Sequence, residues 1–114
     1  MSSETHLNRE VLTTLQDVMD DQFPVLINTF LADSEERIRQ LQRALAAQDS
    51  DTVWRQAHSF KGSCNNLGAE RLAELCQGME ARGRAGEIEG LEQALVSVQE
   101  EFAKLKVTLN SFAG

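Results

Sequence analysis

The segment IEGLEQALVSVQEEFAKLKVTLNSF, residues 88–112, decides the fold of this chain. Its apolar residues recur at alternating steps of three and four, at Ile88, Leu91, Leu95, Val98, Phe102, Leu105, Leu109 and Phe112. That spacing keeps these side chains on one face of an α-helix, which is typical of the buried seam of a helical bundle. The same stripe also suits a coiled-coil dimer, unless other segments of the chain pack against it.

The preceding residues provide such partners, because they carry further apolar stripes at helical spacing. These stripes predict helices over about residues 7–19, 23–47, 51–65 and 69–84. Pro24 suits the first turn of the second helix, and Ser50 is the expected N-cap of the third. Short links make neighbouring helices antiparallel. We therefore predict an all-α protein, an antiparallel four-helix bundle with a short additional N-terminal helix.

Length and charge restrict the classes of function. The 114 residues predict a single domain over 1–114, with 1–6 disordered. The net charge of −7, from 18 acidic and 11 basic residues, argues against nucleic acid or an anionic membrane as partner. No apolar run approaches the roughly 20 residues of a membrane span, and the N-terminus does not resemble a secretion signal. We expect a cytoplasmic protein, and a monomer because every stripe has a partner.

Two cysteines, Cys64 and Cys76, fall on the core-facing stripes of the third and fourth helices. Their spacing matches neither a CxxC motif nor a zinc site. We favour two buried, reduced thiols, with a disulfide or redox pair as the alternative.

A second informative segment is HSFKGSCNNLG, residues 58–68, within the predicted third helix. Positions i, i+3 and i+4 of an α-helix share a face, so His58, Lys61 and Gly62 form one patch. At about 100° of rotation per residue, His58 lies roughly 130° and Gly62 about 170° from the centre of the apolar stripe. Lys61 lies nearer the boundary of that stripe. We therefore expect an exposed His58, with Lys61 on the side nearer the core.

An exposed imidazole beside a lysine suits the transfer of a phosphoryl group. Neutral imidazole is nucleophilic near pH 7, and an ammonium group neutralises phosphoryl oxygens. Gly62 costs a helix about 1 kcal/mol relative to alanine, and its outward position indicates clearance for an incoming partner. Asn65 and Gln77 are candidates for neutral hydrogen bonds at this site. Trp54 is a candidate contact at its rim, with packing in the core as the alternative.

The rest of a phosphotransferase active site is missing from the sequence. It contains no Walker A loop, no glycine-rich nucleotide lid and no acidic cluster typical of a Mg²⁺ pocket. A histidine without nucleotide or metal must receive its phosphoryl group from another protein and pass it to one. The sequence therefore favours a phosphoryl carrier without autonomous kinase activity.

These residues resemble the motif of the histidine-containing phosphotransfer (HPt) family of bacterial phosphorelays. The family pattern is a histidine, two residues, Lys-Gly, then Ser or Ala, with a Leu-Gly a few residues later. It is matched here by His58, Lys61, Gly62, Ser63, Leu67 and Gly68. The resemblance covers nearly the whole chain, since the number, order and lengths of the helices fit. Within the family, the chain is most similar to standalone HptB-type modules.

The resemblance implies a role for each residue of the patch. His58 would accept the phosphoryl group through Nε2, Lys61 would stabilise its charge, and Gly62 would let a receiver domain dock closely. Gln77 would orient the imidazole, because the family often has Gln or Glu near that ring. The implied partners are receiver domains of hybrid sensor kinases and of response regulators. They would supply the aspartate and the Mg²⁺, so this chain would bind no cofactor itself.

Two other functions compete with this interpretation. The first is a non-catalytic helical adaptor, whose His58 face binds receiver domains or other signalling partners without chemistry. The second is a metal site that combines His58 with Asp51 or Glu70. One histidine without a second at i+4 is a poor set of zinc ligands, so we place the metal site last.

Overall fold

The computed structural model describes residues 7–113, which form five α-helices and one 3₁₀ turn joined by short links. The helices are α1 (Arg9–Met19), α2 (Phe23–Ala46), α3 (Ser50–Leu67), α4 (Glu70–Arg84) and α5 (Leu91–Ala113), with the 3₁₀ turn at Asp20–Gln22. Helices α2 to α5 each pack against the next, and α5 packs back against α2. The predicted all-α fold, an antiparallel four-helix bundle with a short N-terminal helix, is confirmed. The predicted disorder of residues 1–6 lies outside the described residues.

The apolar stripe of α5 lies inside this bundle. Six of its residues are buried, namely Leu91, Leu95, Val98, Phe102, Leu105 and Leu109. Ile88 and Phe112, at the two ends of the stripe, are partly buried. The core that covers them includes fully buried side chains from the other long helices, such as Ile27, Phe60 and Met79. The seam therefore finds its partners within the chain.

The starts of α3 and α5 differ from the predicted ones for reasons that the local backbone shows. Asp49, and not Ser50, caps α3, because its carboxylate accepts hydrogen bonds from the backbone N–H of Thr52 at 3.1 Å and from the Thr52 hydroxyl at 2.6 Å. Ser50 is then the first helical residue. The last helix begins at Leu91, after Ile88, because Gly90 has a φ of +87° and breaks the helical path.

The start of α1 is attached to the turn between α3 and α4. Asn8 caps α1 by accepting a hydrogen bond from Val11 N, and its own backbone N–H donates to the Gly68 carbonyl at 2.7 Å. The amide of Asn8 also donates to Glu70 at 2.9 Å. Gly68, which ends α3, has a φ of +83°, and a Cβ there would lie 3.0 Å from the Cβ of Val11. A glycine at this point permits both the turn and the close contact.

Both cysteines are free thiols, fully buried between α3 and α4, as the preferred interpretation predicts. A hydrogen bond with Cys76 and burial both raise the pKa of the Cys64 thiol, which favours the neutral form. Among the described helices, none combines the length and the apolar composition that crossing a bilayer requires.

Candidate functional site

Helix α3 presents His58 on the side opposite its buried stripe. That stripe consists of Val53, Ala57, Phe60, Cys64 and Leu67. The side chain of His58 is 59% exposed, whereas that of Lys61, one turn later, is 25% exposed. The predicted placement of both residues on the helix is confirmed.

Glu80 of α4 holds the imidazole of His58. Its Oε2 lies 2.9 Å from Nδ1 of the ring. A carboxylate only accepts hydrogen bonds, so a neutral imidazole in this pair donates through Nδ1–H and keeps its lone pair on Nε2. The contact therefore selects the tautomer in which Nε2 is the nucleophilic nitrogen.

Two cations surround the Glu80 carboxylate, whose side chain is only 11% exposed. Nζ of Lys61 forms an ion pair with Oε1 at 2.8 Å, and the guanidinium of Arg84 lies 3.8 Å from Oε2. The bond with Lys61 lowers the pKa of Glu80 below its ordinary value, and the bond with His58 acts in the same direction, although burial opposes both. Glu80 is therefore a carboxylate at neutral pH.

Close packing of α4 on α3 brings Glu80 to this position. A Cβ at Gly83 would lie 2.9 Å from both the backbone N and the Cβ of Trp54, so the two helices approach each other without a side chain between them. Glu80 lies one turn before Gly83 on the same side of α4. The short distance between the helices lets one carboxylate contact His58 and Lys61 together.

Gly62 lies on the exposed side of α3, as predicted. A Cβ built at this position meets no atom within 4 Å, and the residue is exposed. Packing among residues 7–113 therefore does not require a glycine here. The helix carries a residue of low helix propensity, about 1 kcal/mol worse than alanine, without gaining a contact inside the described fold.

Asn65 and Gln77 are exposed and line one surface recess together with Lys61. The structure thus brings these three predicted residues together. The hydrogen bond to the imidazole, which the resemblance assigns to Gln77, is made by Glu80 instead. Gln77 lies about one turn earlier on α4, on the recess and not against the ring.

Trp54 is partly buried, one turn before His58 on α3. Its indole N–H donates a hydrogen bond to Asp51 at 2.9 Å. The guanidinium of Arg84 lies 4.5 Å from the ring centroid, and that of Arg55 lies 5.0 Å from it. The indole therefore forms part of the surface beside the site and is stacked by arginines.

Glu80 and Arg84 are functional candidates that are not among the residues predicted from the sequence. The sequence does contain a signal for Glu80, which stands directly after Met79 of the buried stripe and three residues before Gly83. A carboxylate at the edge of a buried stripe requires a charged or hydrogen-bonded partner. No comparable signal marks Arg84, because basic residues are common in the last turn of a helix.

The chain is similar to known proteins of one family. The model of the Hpt domain family matches residues 25–108. The chain is 30% identical over 104 residues to histidine-containing phosphotransfer protein 2 of Arabidopsis thaliana, covering 85% of this chain and 67% of that protein. It is 26% identical over 109 residues to pseudo histidine-containing phosphotransfer protein 1 of Oryza sativa subsp. japonica, covering 90% of this chain and 58% of that protein.

Two solved structures share the fold. Histidine-containing phosphotransfer protein B (HptB) from Pseudomonas aeruginosa PAO1 superposes with a TM-score of 0.94 at 40% identity, over 97% of this chain and 96% of that one. The HPT domain from the Hpt sensor hybrid histidine kinase of Shewanella superposes with a TM-score of 0.76 at 20% identity, over 94% of this chain and 92% of that one. The second comparison supports the fold alone.

Proposed function

This chain belongs to the Hpt domain family, and we propose that it is a phosphorelay carrier. In this proposal His58 accepts a phosphoryl group from the aspartate of one receiver domain and passes it to the aspartate of another. The hydrogen bond of 2.9 Å between His58 Nδ1 and the Glu80 carboxylate carries the assignment of the acceptor atom. It leaves the lone pair of an exposed imidazole on Nε2, where a phosphorylated partner has access to it.

The proposed transfer needs no proton to move. Nε2 of His58 attacks the phosphorus of the aspartyl phosphate in line, the Nε2–P bond forms, and the bond to the aspartate oxygen breaks. The aspartate leaves as a carboxylate. Because the ring keeps its Nδ1 proton, the phosphorylated imidazole is cationic, and the negative charge of Glu80 stabilises it. In the second step an aspartate oxygen of the other receiver attacks the phosphorus, and His58 leaves as neutral imidazole.

The neighbours of His58 support these steps. Lys61 lies one turn away and brings a positive charge to the phosphoryl oxygens. Gly62 provides clearance for the receiver, which accounts for a glycine that packing does not require. Mg²⁺, when bound in the receiver, would supply further positive charge to the phosphoryl oxygens. We infer that this ion and the aspartate come from receiver domains of hybrid kinases and response regulators. We also propose that the carrier is a cytoplasmic monomer.

A transfer assay tests this function. A receiver domain labelled on its aspartate is mixed with wild type, with His58→Gln, and with His6→Gln as the control at the other histidine of the chain. We expect acid-labile, base-stable label on wild type and on His6→Gln, and none on His58→Gln. Circular dichroism confirms that each variant is helical. Label retained by His58→Gln would overturn the proposal.

The same assay separates the carrier from the adaptor. An adaptor would bind the receiver with the same affinity in wild type and His58→Ala, while wild type takes up no label from several receivers. If the protein is a carrier, wild type takes up label, whether or not His58→Ala changes the affinity for the receiver. Uptake by wild type therefore excludes the purely non-catalytic function.

A further inference from the structure

Arg84, the last residue of α4, lies beside the candidate site and makes loose contacts there. Its guanidinium is 3.8 Å from Oε2 of Glu80, the oxygen that bonds His58, and its side chain is 62% exposed. A separation of 3.8 Å is too long for a hydrogen bond. This contact therefore leaves the guanidinium donors available to an incoming oxyanion.

The charges at the site call for a second cation when a phosphoryl group arrives. Lys61 lies 2.8 Å from Glu80, so their charges offset each other before transfer. A phosphorylated imidazole adds net negative charge to the site. The phosphoryl group carries a charge of about −2, whereas the ring carries a single positive charge. With Lys61 alone the phosphorylated site would be negative. With Arg84 included it is close to neutral.

We propose that Arg84 binds the phosphoryl oxygens on His58 as a second cation, and that Trp54 is the positioning residue that keeps Arg84 at the site. The inference rests on the proposed function of the same site and adds residues to it. A guanidinium offers paired N–H donors that match the geometry of phosphate oxygens. A side chain as exposed as that of Arg84 reaches them by rotating away from Glu80.

Trp54 is suited to hold Arg84 because its indole makes a hydrogen bond and its backbone is closely packed. The indole N–H donates to Asp51 at 2.9 Å, and the backbone of Trp54 packs against Gly83, next to Arg84 in sequence. The guanidinium of Arg84 then lies 4.5 Å from the ring centroid, within the range of a cation–π contact. This contact keeps an otherwise exposed side chain close to Glu80.

Arg55 provides the matched control. It also stacks on Trp54, with its guanidinium 5.0 Å from the ring centroid. Its ion pair, however, is with Asp51 at 3.0 Å, and Asp51 lies about two turns before His58 on the same helix. Removing Arg55 therefore changes the stacking on the indole and the total charge in the same way as removing Arg84, without removing a contact of Glu80.

The experiment measures the ionisation of the phosphoryl group itself. Wild type, Arg84→Gln, Arg84→Lys and Arg55→Gln are phosphorylated with phosphoramidate and titrated by ³¹P NMR. A nearby cation favours the dianion, so its loss raises the pKa of the phosphoryl group. We expect a rise of about 0.5 unit or more in Arg84→Gln, a smaller rise in Arg84→Lys, and less than half of the Arg84→Gln shift in Arg55→Gln.

Equal shifts in Arg84→Gln and Arg55→Gln, or none in either, would overturn the role of Arg84. This result is distinct from failure of the proposed function, in which wild type itself gains no phosphohistidine signal. For Trp54, we expect Trp54→Leu to reproduce most of the Arg84→Gln shift and Trp54→Phe, which keeps an aromatic ring, to reproduce less. A wild-type titration in Trp54→Leu, with its helical content intact, would overturn the positioning role.

Discussion

At the scale of single residues, Glu80 fixes the tautomer of His58, and in the proposed mechanism it thereby determines which nitrogen reacts. Its carboxylate accepts a hydrogen bond from Nδ1, and this leaves the lone pair of the neutral ring on Nε2. A neutral amide could accept the same hydrogen bond, but only a carboxylate offsets the positive charge of the phosphorylated ring. The ion pair with Lys61 lowers the pKa of Glu80 and maintains that charge at neutral pH.

Replacing Glu80 with glutamine separates its charge from its hydrogen bond. We expect Glu80→Gln to accept the phosphoryl group from a receiver about tenfold more slowly, which corresponds to about 1.4 kcal/mol of lost transition-state stabilisation. Rapid-quench measurement of label uptake gives this rate. Glu100→Gln, an exposed substitution on α5, is the control and should match wild type. An unchanged rate in Glu80→Gln would show that the charge plays no part in transfer.

The lowered pKa of Glu80 also predicts a dependence of stability on pH. The pKa of Glu80 in the folded protein lies below the ordinary value of 4.5. Ionised Glu80 therefore contributes to the free energy of unfolding above pH 4.5, and this contribution is lost as the pH falls through the lowered pKa. The free energy of unfolding should be higher in wild type than in Glu80→Gln at pH 7, and the difference should shrink below pH 4.5. Urea titrations at several pH values measure it, and a difference independent of pH would contradict the assignment.

At the scale of helices, apolar spacing predicts the elements well and their ends less well. The spacing of apolar residues is local in the sequence. The stripe that ends in Cys64 and Leu67 therefore identifies α3 without information on the other helices. The ends depend on finer choices. Asp49 caps α3 although Ser50 is also a good capping residue, and a positive φ at Gly90 delays α5 beyond Ile88.

Two exposed glycines within helices test whether Gly62 serves a partner. A Cβ at Gly62 in α3 or at Gly78 in α4 meets no atom of the described residues within 4 Å. Alanine at either position should therefore raise the free energy of unfolding by about 0.5–1 kcal/mol, through helix propensity. Only Gly62→Ala should slow phosphoryl transfer from a receiver, by tenfold or more. Denaturant titration measures the effect on stability, and the transfer assay measures the effect on rate. Equal transfer rates in both variants would contradict the proposal that Gly62 leaves space for the receiver.

Gly83 tests how far the site depends on the distance between α3 and α4. Its added Cβ would lie 2.9 Å from two atoms of Trp54, including the backbone N, and 3.1 Å from the Ser50 carbonyl oxygen. Backbone atoms cannot rotate away, so Gly83→Ala should lower the free energy of unfolding by about 1–3 kcal/mol. Gly78→Ala on the same helix is the matched control. If Gly83→Ala raised the free energy of unfolding as much as Gly78→Ala does, α3 and α4 could move apart at no cost in stability, and the prediction would be wrong.

At the scale of the whole molecule, the site is built by two helices, and this limits what the sequence predicts of it. His58, Lys61 and Gly62 share a face of one helix, so their spacing alone predicts the patch. Glu80 lies 22 residues beyond His58, on a helix whose register against α3 depends on close packing at Gly83. The apolar stripes of α3 and α4, taken separately, do not predict how the two helices are aligned. The sequence therefore predicts the phosphoryl acceptor but not the carboxylate that orients it.

The most direct test of the account is to identify the nitrogen that carries the phosphoryl group. The protein is labelled with ¹⁵N, phosphorylated, and examined by NMR for coupling between phosphorus and the imidazole nitrogens. We predict phosphorus on Nε2 of His58, with Nδ1 protonated and hydrogen-bonded to Glu80. Phosphorus on Nδ1, or on a residue other than His58, would contradict it.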